Sequence, residues 1–204
     1  MEVRLQGIGK RFSREWVLRE VDLILPEGSH TAILGSNGSG KSTLLKIIAG
    51  YLTPSKGAVE HLSVDKEKLY MELSIVAPYL DLYRDLDLDQ CLDLHFSLRN
   101  FHEGMDKGQL KALLDLPSGR PVASYSSGMV QRLKIGLALA TQSSLLLLDE
   151  ASMNLDKASV EWYLGALKTY VGRRTVVVAS NVQGMETSTC TRHFRIEEKS
   201  LKVC

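Results

Sequence analysis

The sequence lacks any apolar stretch approaching the roughly 20 residues that a bilayer-crossing helix needs. Its start, Met1-Glu2-Val3-Arg4, lacks the basic-then-apolar order of a secretory leader, so the chain is expected to stay in the cytoplasm. Cysteine is scarce: Cys91, Cys190 and Cys204 are scattered with no C-x-x-C spacing, which argues against both a disulfide framework and a zinc site. The 5 histidines are equally dispersed, with no pair at metal-ligand spacing. An excess of one charge is missing too. With 25 basic and 24 acidic side chains and a net charge of +1, the chain has no concentrated basic surface of the kind nucleic acid requires. Repeats and low-complexity segments are absent. At 204 residues the chain fits one domain with a substantial core.

What is present is an order of strand and helix signals. Alternation at Val3 and Leu5, and again at Val21, Leu23 and Leu25, predicts two half-buried strands separated by a polar stretch around Arg14 and Glu15. Thr31-Ala32-Ile33-Leu34 is short and almost wholly apolar, as suits a strand buried on both faces of a parallel sheet. A Gly-rich run follows directly, and then Leu44, Leu45, Ile47 and Ile48 recur at helical spacing before Gly50. The segment from Asp81 to Ser144 carries helical patterns broken by Gly104, Gly108 and Pro117-Ser118-Gly119. Strand character returns at Leu145 to Leu148 and Thr175 to Ala179, with a helical stretch from Ser159 to Val171 between them. Strand, helix, strand implies a right-handed crossover in a parallel sheet.

The Gly-rich run Gly35-Ser36-Asn37-Gly38-Ser39-Gly40-Lys41-Ser42-Thr43 matches the phosphate-loop pattern. A triphosphate needs many donors in a small concave space. Glycines let the backbone curl so that successive amides point inward, and the following helix adds its positive end. Lys41 would reach the β- and γ-phosphates, and the Ser42 hydroxyl would meet the magnesium ion they share. ATP and Mg2+ are therefore the expected cofactors, the metal arriving with the nucleotide.

Further motifs choose among phosphate-loop proteins. Tyr125-Ser126-Ser127-Gly128-Met129-Val130-Gln131-Arg132 resembles the signature of ATP-binding cassette (ABC) proteins, usually Leu-Ser-Gly-Gly-Gln-x-Gln-Arg. Leu145 to Leu148 followed by Asp149-Glu150 resembles the Walker B strand, in which Asp149 would hold magnesium through water and Glu150 would be the general base. Ser152-Met153-Asn154-Leu155-Asp156 resembles the D-loop of the same family. The resemblance implies an α/β phosphate-loop NTPase core with a parallel sheet and a small N-terminal antiparallel β-subdomain. A helical subdomain is inserted between Walker A, the phosphate loop, and Walker B. One ABC-type nucleotide-binding domain would span 1–204, with its core at about 1–80 and 145–204 and the lobe at about 81–144. The family also implies a head-to-tail dimer in which Ser126, Ser127 and Gly128 of one copy complete the other copy's ATP site. Adenine would stack on an aromatic ring near the N-terminus, for which Phe12 is preferred over Trp16.

Two positions depart from the family pattern. Pro78, followed by Tyr79, falls where the Q-loop glutamine belongs, leaving a backbone carbonyl or the Tyr79 hydroxyl to stand in. Asn181 falls at the switch histidine; its amide can donate to the γ-phosphate but cannot carry charge. ATP binding is thus expected with slow hydrolysis, catalysed by Glu150, Lys41 and Asn181. By resemblance, the chain is a transporter ATPase of a small export-type system, docked on a separate membrane permease at the inner face of the membrane and paired with a second nucleotide-binding domain. The competing readings are a nucleotide-gated clamp with little turnover and a soluble ABC ATPase outside transport.

Overall fold

Alternation in the first 25 residues produces two long antiparallel strands, β1 (Val3–Phe12) and β2 (Glu15–Leu25). Val3 lies opposite Leu25 and Leu5 opposite Leu23, so one face of the pair is apolar. The register slips after Leu5 and again near Lys10. These bulges break the period of two, and for that reason β1 runs well beyond the Val3 to Leu5 segment that the sequence pattern marks. The computed structural model describes residues 1–181 and 184–204.

The strand β3 (His30–Leu34) leads through the Gly-rich run into helix α1 (Lys41–Ile48). Next comes β4 (Lys56–His61), which pairs with β1 and closes a three-stranded sheet in the order β2-β1-β4. A Cβ on Gly57, whose φ is +79°, would collide with the carbonyl oxygens of Gln6 and Gly7, so only glycine lets β4 approach the β1 bulge. A short 3-10 helix (Lys66–Met71) precedes β5 (Leu73–Val76).

The helices α2 (Leu88–Leu98), α3 (Lys107–Leu114) and α4 (Ser127–Ala140) follow. Asp87 and Asp106 each cap a helix through a reciprocal pair with the Gln three residues on, which is why α2 and α3 begin where they do. After them come β6 (Leu145–Asp149), α5 (Lys157–Tyr170), β7 (Thr175–Ser180), β8 (Arg192–Glu197) and β9 (Ser200–Val203).

The larger sheet has the order β5-β6-β7-β3-β8-β9, parallel except for the last strand. Its strands alternate between two apolar cores. Ile33, Leu145, Leu147 and Val177 face α1 and the smaller sheet. Ala32, Leu34, Leu146, Leu148, Val176 and Val178 face α4 and α5. A third core joins α2, α3 and α4 around Leu88, Leu92, Leu110, Leu114 and Leu133. Helix α4 contributes to both of the last two cores, Ile135 and Leu139 to one and Leu133 and Leu137 to the other, which ties the helical region to the sheet.

The guanidinium of Arg174, 2% exposed, closes the far end of this junction. It donates to the carbonyls of Val171 at 2.8 Å, Ala138 at 3.3 Å and Thr141 at 3.4 Å, and to Tyr170. A cation thus answers the open carbonyls where α4 and α5 both end. Burial lowers its pKa to about 10, so it remains charged at neutral pH. Among the described residues no helix is long and apolar enough to cross a membrane.

Candidate functional site

Sheet order explains why residues far apart in sequence meet. β6, β7 and β3 are neighbours with aligned ends: Asp149 lies beside Ala179, and Leu34 beside Ser180. The groups that follow these strands, Glu150, Asn181 and the phosphate loop, therefore emerge at one edge of a parallel sheet, where open α/β folds bind their ligands.

The loop is shaped for close approach. Gly40 precedes α1 at φ 110°, and a Cβ there would sit 2.9 Å from Leu18 and 3.1 Å from Val17. Both the backbone angle and the space demand glycine. Lys41, 4% exposed, folds back over the loop. Its ammonium donates to Gly35 O at 2.9 Å, Ser36 O at 3.1 Å and Asn181 Oδ1 at 2.6 Å. These use all three of its hydrogens, and Glu150 Oε1 stands 3.7 Å away. Ser36, Asn37 and Gly38 are exposed, Ser39 and Thr43 half-buried. The Ser39 hydroxyl is buried and has no hydrogen-bond partner.

Asp149 is fully buried, and neither carboxylate oxygen has a hydrogen-bond partner. Burial raises its pKa; the Ser42 hydroxyl, near enough to pull the carboxyl down but outside bonding geometry, opposes this, as do Lys41 and Lys46, while Glu150 adds to the rise. Two orphaned carboxylate oxygens beside a serine hydroxyl, in a place that penalises their charge, form a donor set suited to a hard cation such as Mg2+. Glu150 follows β6 with φ 50°, and its amide is tied to Ala179 O at 3.0 Å. A non-glycine residue at positive φ is uncommon. Here it turns the carboxylate toward Lys41.

The other half of the expected site lies elsewhere. Ser126 caps α4, its hydroxyl accepting from Met129 N at 3.3 Å. Ser126 and Ser127 are exposed and Gly128 is half-buried. Gln131, one turn into the helix, donates to Ala151 O at 2.7 Å and holds α4 to the loop after β6. Among the described residues no hydrogen bond or ion pair joins 126–128 to 35–43.

The aromatic candidates separate. Phe12 sits at the end of β1 with its ring 48% exposed and Lys10 Nζ 5.1 Å from its centre. Trp16, not Phe12, lines the 520 Å³ cavity that borders Gly35, Ser36 and Ser39. Sequence reasoning preferred Phe12 for the base, and Trp16 is the ring that this cavity brings beside the loop. It also passed over Lys46. Lys46 stands four residues after Ser42 on α1, and its ammonium lies 3.8 Å from the centre of the Tyr79 ring.

A family model described as ABC transporter matches residues 18–153. The chain belongs to the ABC transporter family. A probable metal transport system ATP-binding protein of Treponema pallidum is 29% identical over 215 residues, covering 99% of this ABC chain and 85% of the relative. A sulfate/thiosulfate import ATP-binding protein of Synechocystis is 30% identical over 168 residues, covering 76% of the chain but only 46% of that longer relative. Among solved structures, a dimeric bacterial ABC transporter cassette superposes with TM-score 0.82 at 22% identity, covering 98% of the chain and 96% of the cassette. At that identity the likeness speaks for the fold, which is the phosphate-loop α/β core with its added antiparallel strands. Membership makes the chain an ATP-binding subunit that powers an ABC transporter through ATPase activity.

Proposed function

We propose that this ABC subunit hydrolyses ATP slowly, using two half-sites that only a second copy brings together. The amides of residues 35–43 and the α1 N-terminus would cradle the β- and γ-phosphates, with Phe12 or Trp16 against the base. Lys41 exchanges its ion pair with Glu150 and a loop-carbonyl bond for phosphate oxygens and keeps its bond to Asn181 Oδ1. Asp149 and Ser42 hold the magnesium ion, which when bound neutralises charge shared by the two phosphates. Glu150, released from Lys41, orients the attacking water and takes its proton. The Asn181 oxygen accepts from Lys41, so its NH2 is left to donate to the γ-phosphate; being neutral, it keeps that bond weak and turnover low.

Ser126, Ser127 and Gly128 supply the missing half from an identical partner. Their exposure, and the orientation of an α-helix N-terminus out of the molecule, support this. The whole of 1–204 acts as one domain, the core at about 1–80 and 145–204 binding phosphate and the helical lobe at about 81–144 presenting the signature. The subunit docks peripherally on the cytoplasmic face of a membrane permease. Relatives are named both for metal and for sulfate/thiosulfate transport, and the reading of cargo is assigned to that permease.

The convergence of Lys41, Glu150 and Asn181 at the ends of three adjacent strands carries the reading. It is tested by ATP binding and steady-state turnover of the purified protein and its Lys41→Ala variant. Loss of both in the variant is expected. Binding that needs Lys41 but shows no turnover in any preparation would favour the nucleotide-gated clamp.

A further inference from the structure

Ala77, Pro78, Tyr79 and Leu80 form a β-turn directly after β5, closed by Leu80 N donating to Ala77 O at 3.2 Å. Proline at the second position fixes φ and favours such a turn. Pro78 therefore does more than remove a polar side chain: it sets the direction in which Tyr79 leaves the backbone. β5 is hydrogen-bonded to β6, with Val76 beside Leu148, so this turn stands next to the end of β6 that bears Asp149.

The ring is held from the other side. Ser42 and Lys46 are four residues apart on α1 and share one face of the helix. Both are half-buried, while Leu44, Leu45, Ile47 and Ile48 are buried. The face that brings Ser42 to Asp149 thus brings the Lys46 ammonium over the Tyr79 ring at 3.8 Å, within cation–π range. Lys46 also acts on Asp149, lowering its pKa. In turn the Asp149 charge reaches the Tyr79 hydroxyl: burial first, and Asp149 second, raise that pKa. The phenol stays protonated at any working pH, and a neutral hydroxyl both donates and accepts.

We infer that Tyr79, aimed by the Pro78 turn and clamped by Lys46, is a positioning residue of the ATPase site, its hydroxyl ordering water of the metal's shell beside Asp149. The inference rests on the proposed ATPase function. It makes Lys46 the second member of the device.

The test uses Tyr79→Phe, which keeps the ring and its cation–π contact and deletes only the hydroxyl. At saturating ATP, kcat should fall about tenfold, the worth of one hydrogen bond made in the transition state, with KM for ATP changed less than about twofold. A readout independent of activity is the rise in Tm on adding Mg2+ to protein already saturated with a non-hydrolysable ATP analogue. That increment should shrink in Tyr79→Phe, while Tm without ligand stays at the wild-type value. Tyr79→Gln, which restores a group able to donate and accept, should recover most of the lost rate. Lys46→Met should lower kcat in the same direction and Lys46→Arg should not, since guanidinium also stacks on aromatic faces. Wild-type kcat and a wild-type Mg2+ increment in Tyr79→Phe overturn the inference and leave the ATPase reading intact. Wild-type protein with no ATP turnover at all overturns both.

Discussion

The phosphate-loop half and the signature half of this molecule are built on opposite terms. Around Lys41 the ammonium is already engaged within the chain by three hydrogen bonds and an ion pair at 3.7 Å, beside a buried Asp149 whose oxygens have no hydrogen-bond partner. Around Ser126 the helix start is open. The Ser126 hydroxyl accepts from the Met129 amide, and Ser126 and Ser127 are exposed. The first half is preorganised and must release contacts to bind ATP. The second has few contacts to release and gains its use only from outside the chain. An account of the site that considers one copy alone explains the first half and leaves the second idle.

The comparison breaks most sharply at Glu150. Glu150→Gln keeps the shape of the side chain and removes the base, so kcat should fall about a hundredfold or more. ATP affinity should hold or improve, because Lys41 loses a competing carboxylate. A variant that turns over at the wild-type rate in a steady-state assay removes Glu150 from the proposed chemistry. The signature half should behave differently. A Cβ on Gly128 would meet Asn154 O at 3.2 Å, so Gly128→Asp places both bulk and negative charge at the helix N-terminus. ATP binding by single copies should be unchanged, whereas turnover should drop at least about tenfold and lose its rise with protein concentration. Equal loss of binding and turnover would mean that the two halves are one site within a single chain.

Much of the first half is legible in sequence because its chemistry is local: glycine spacing, one lysine and an apolar strand ending in two acids lie within short windows. The signature is legible as a motif, but its separation from the loop is a property of the fold. Strand β4, mostly exposed and paired along one edge to β1 alone, carries no clean alternation. The contact of Lys41 with Asn181 spans 140 residues and depends on β3 and β7 being neighbours. The turn at Pro78 reads in sequence as the loss of a glutamine. Only the position of Lys46 on α1 shows what Tyr79 receives in exchange.

Asn181 offers a finer test. Its Oδ1 accepts from the Lys41 ammonium at 2.6 Å, and the amide itself carries no charge. Asn181→His places a group of ordinary pKa ~6.5 in that position. Below that pH the imidazolium repels Lys41, so turnover of the variant should acquire an acid limb that the wild-type lacks, with a change of about tenfold or less. Superimposable pH profiles of kcat would show that residue 181 does not address Lys41 in the working enzyme.

The last effect is on stability rather than turnover and belongs to a group outside both halves. His95 sits on α2 beside a 250 Å³ cavity also lined by Arg99, Lys134 and Asp81. The Thr141 hydroxyl donates to Leu137 O at 2.6 Å, so its oxygen must accept from His95 Nε2 at 2.8 Å, which assigns the proton to Nε2. Burial, with Arg99 adding to it, lowers the imidazole pKa from 6.5 to about 4. The folded chain then binds this proton less readily than the unfolded chain. The resulting stability is fully present above pH ~6.5 and is lost as pH falls toward ~4, by at most about 3 kcal/mol. His95→Gln retains a donor for Thr141 and does not titrate. Since His61 and His102 also have lowered values, the informative quantity is the difference in Tm between variant and wild type across pH 7 to 4. That difference should shift in the variant's favour as the solution is acidified. A constant difference would mean that His95 titrates alike in the folded and unfolded chain.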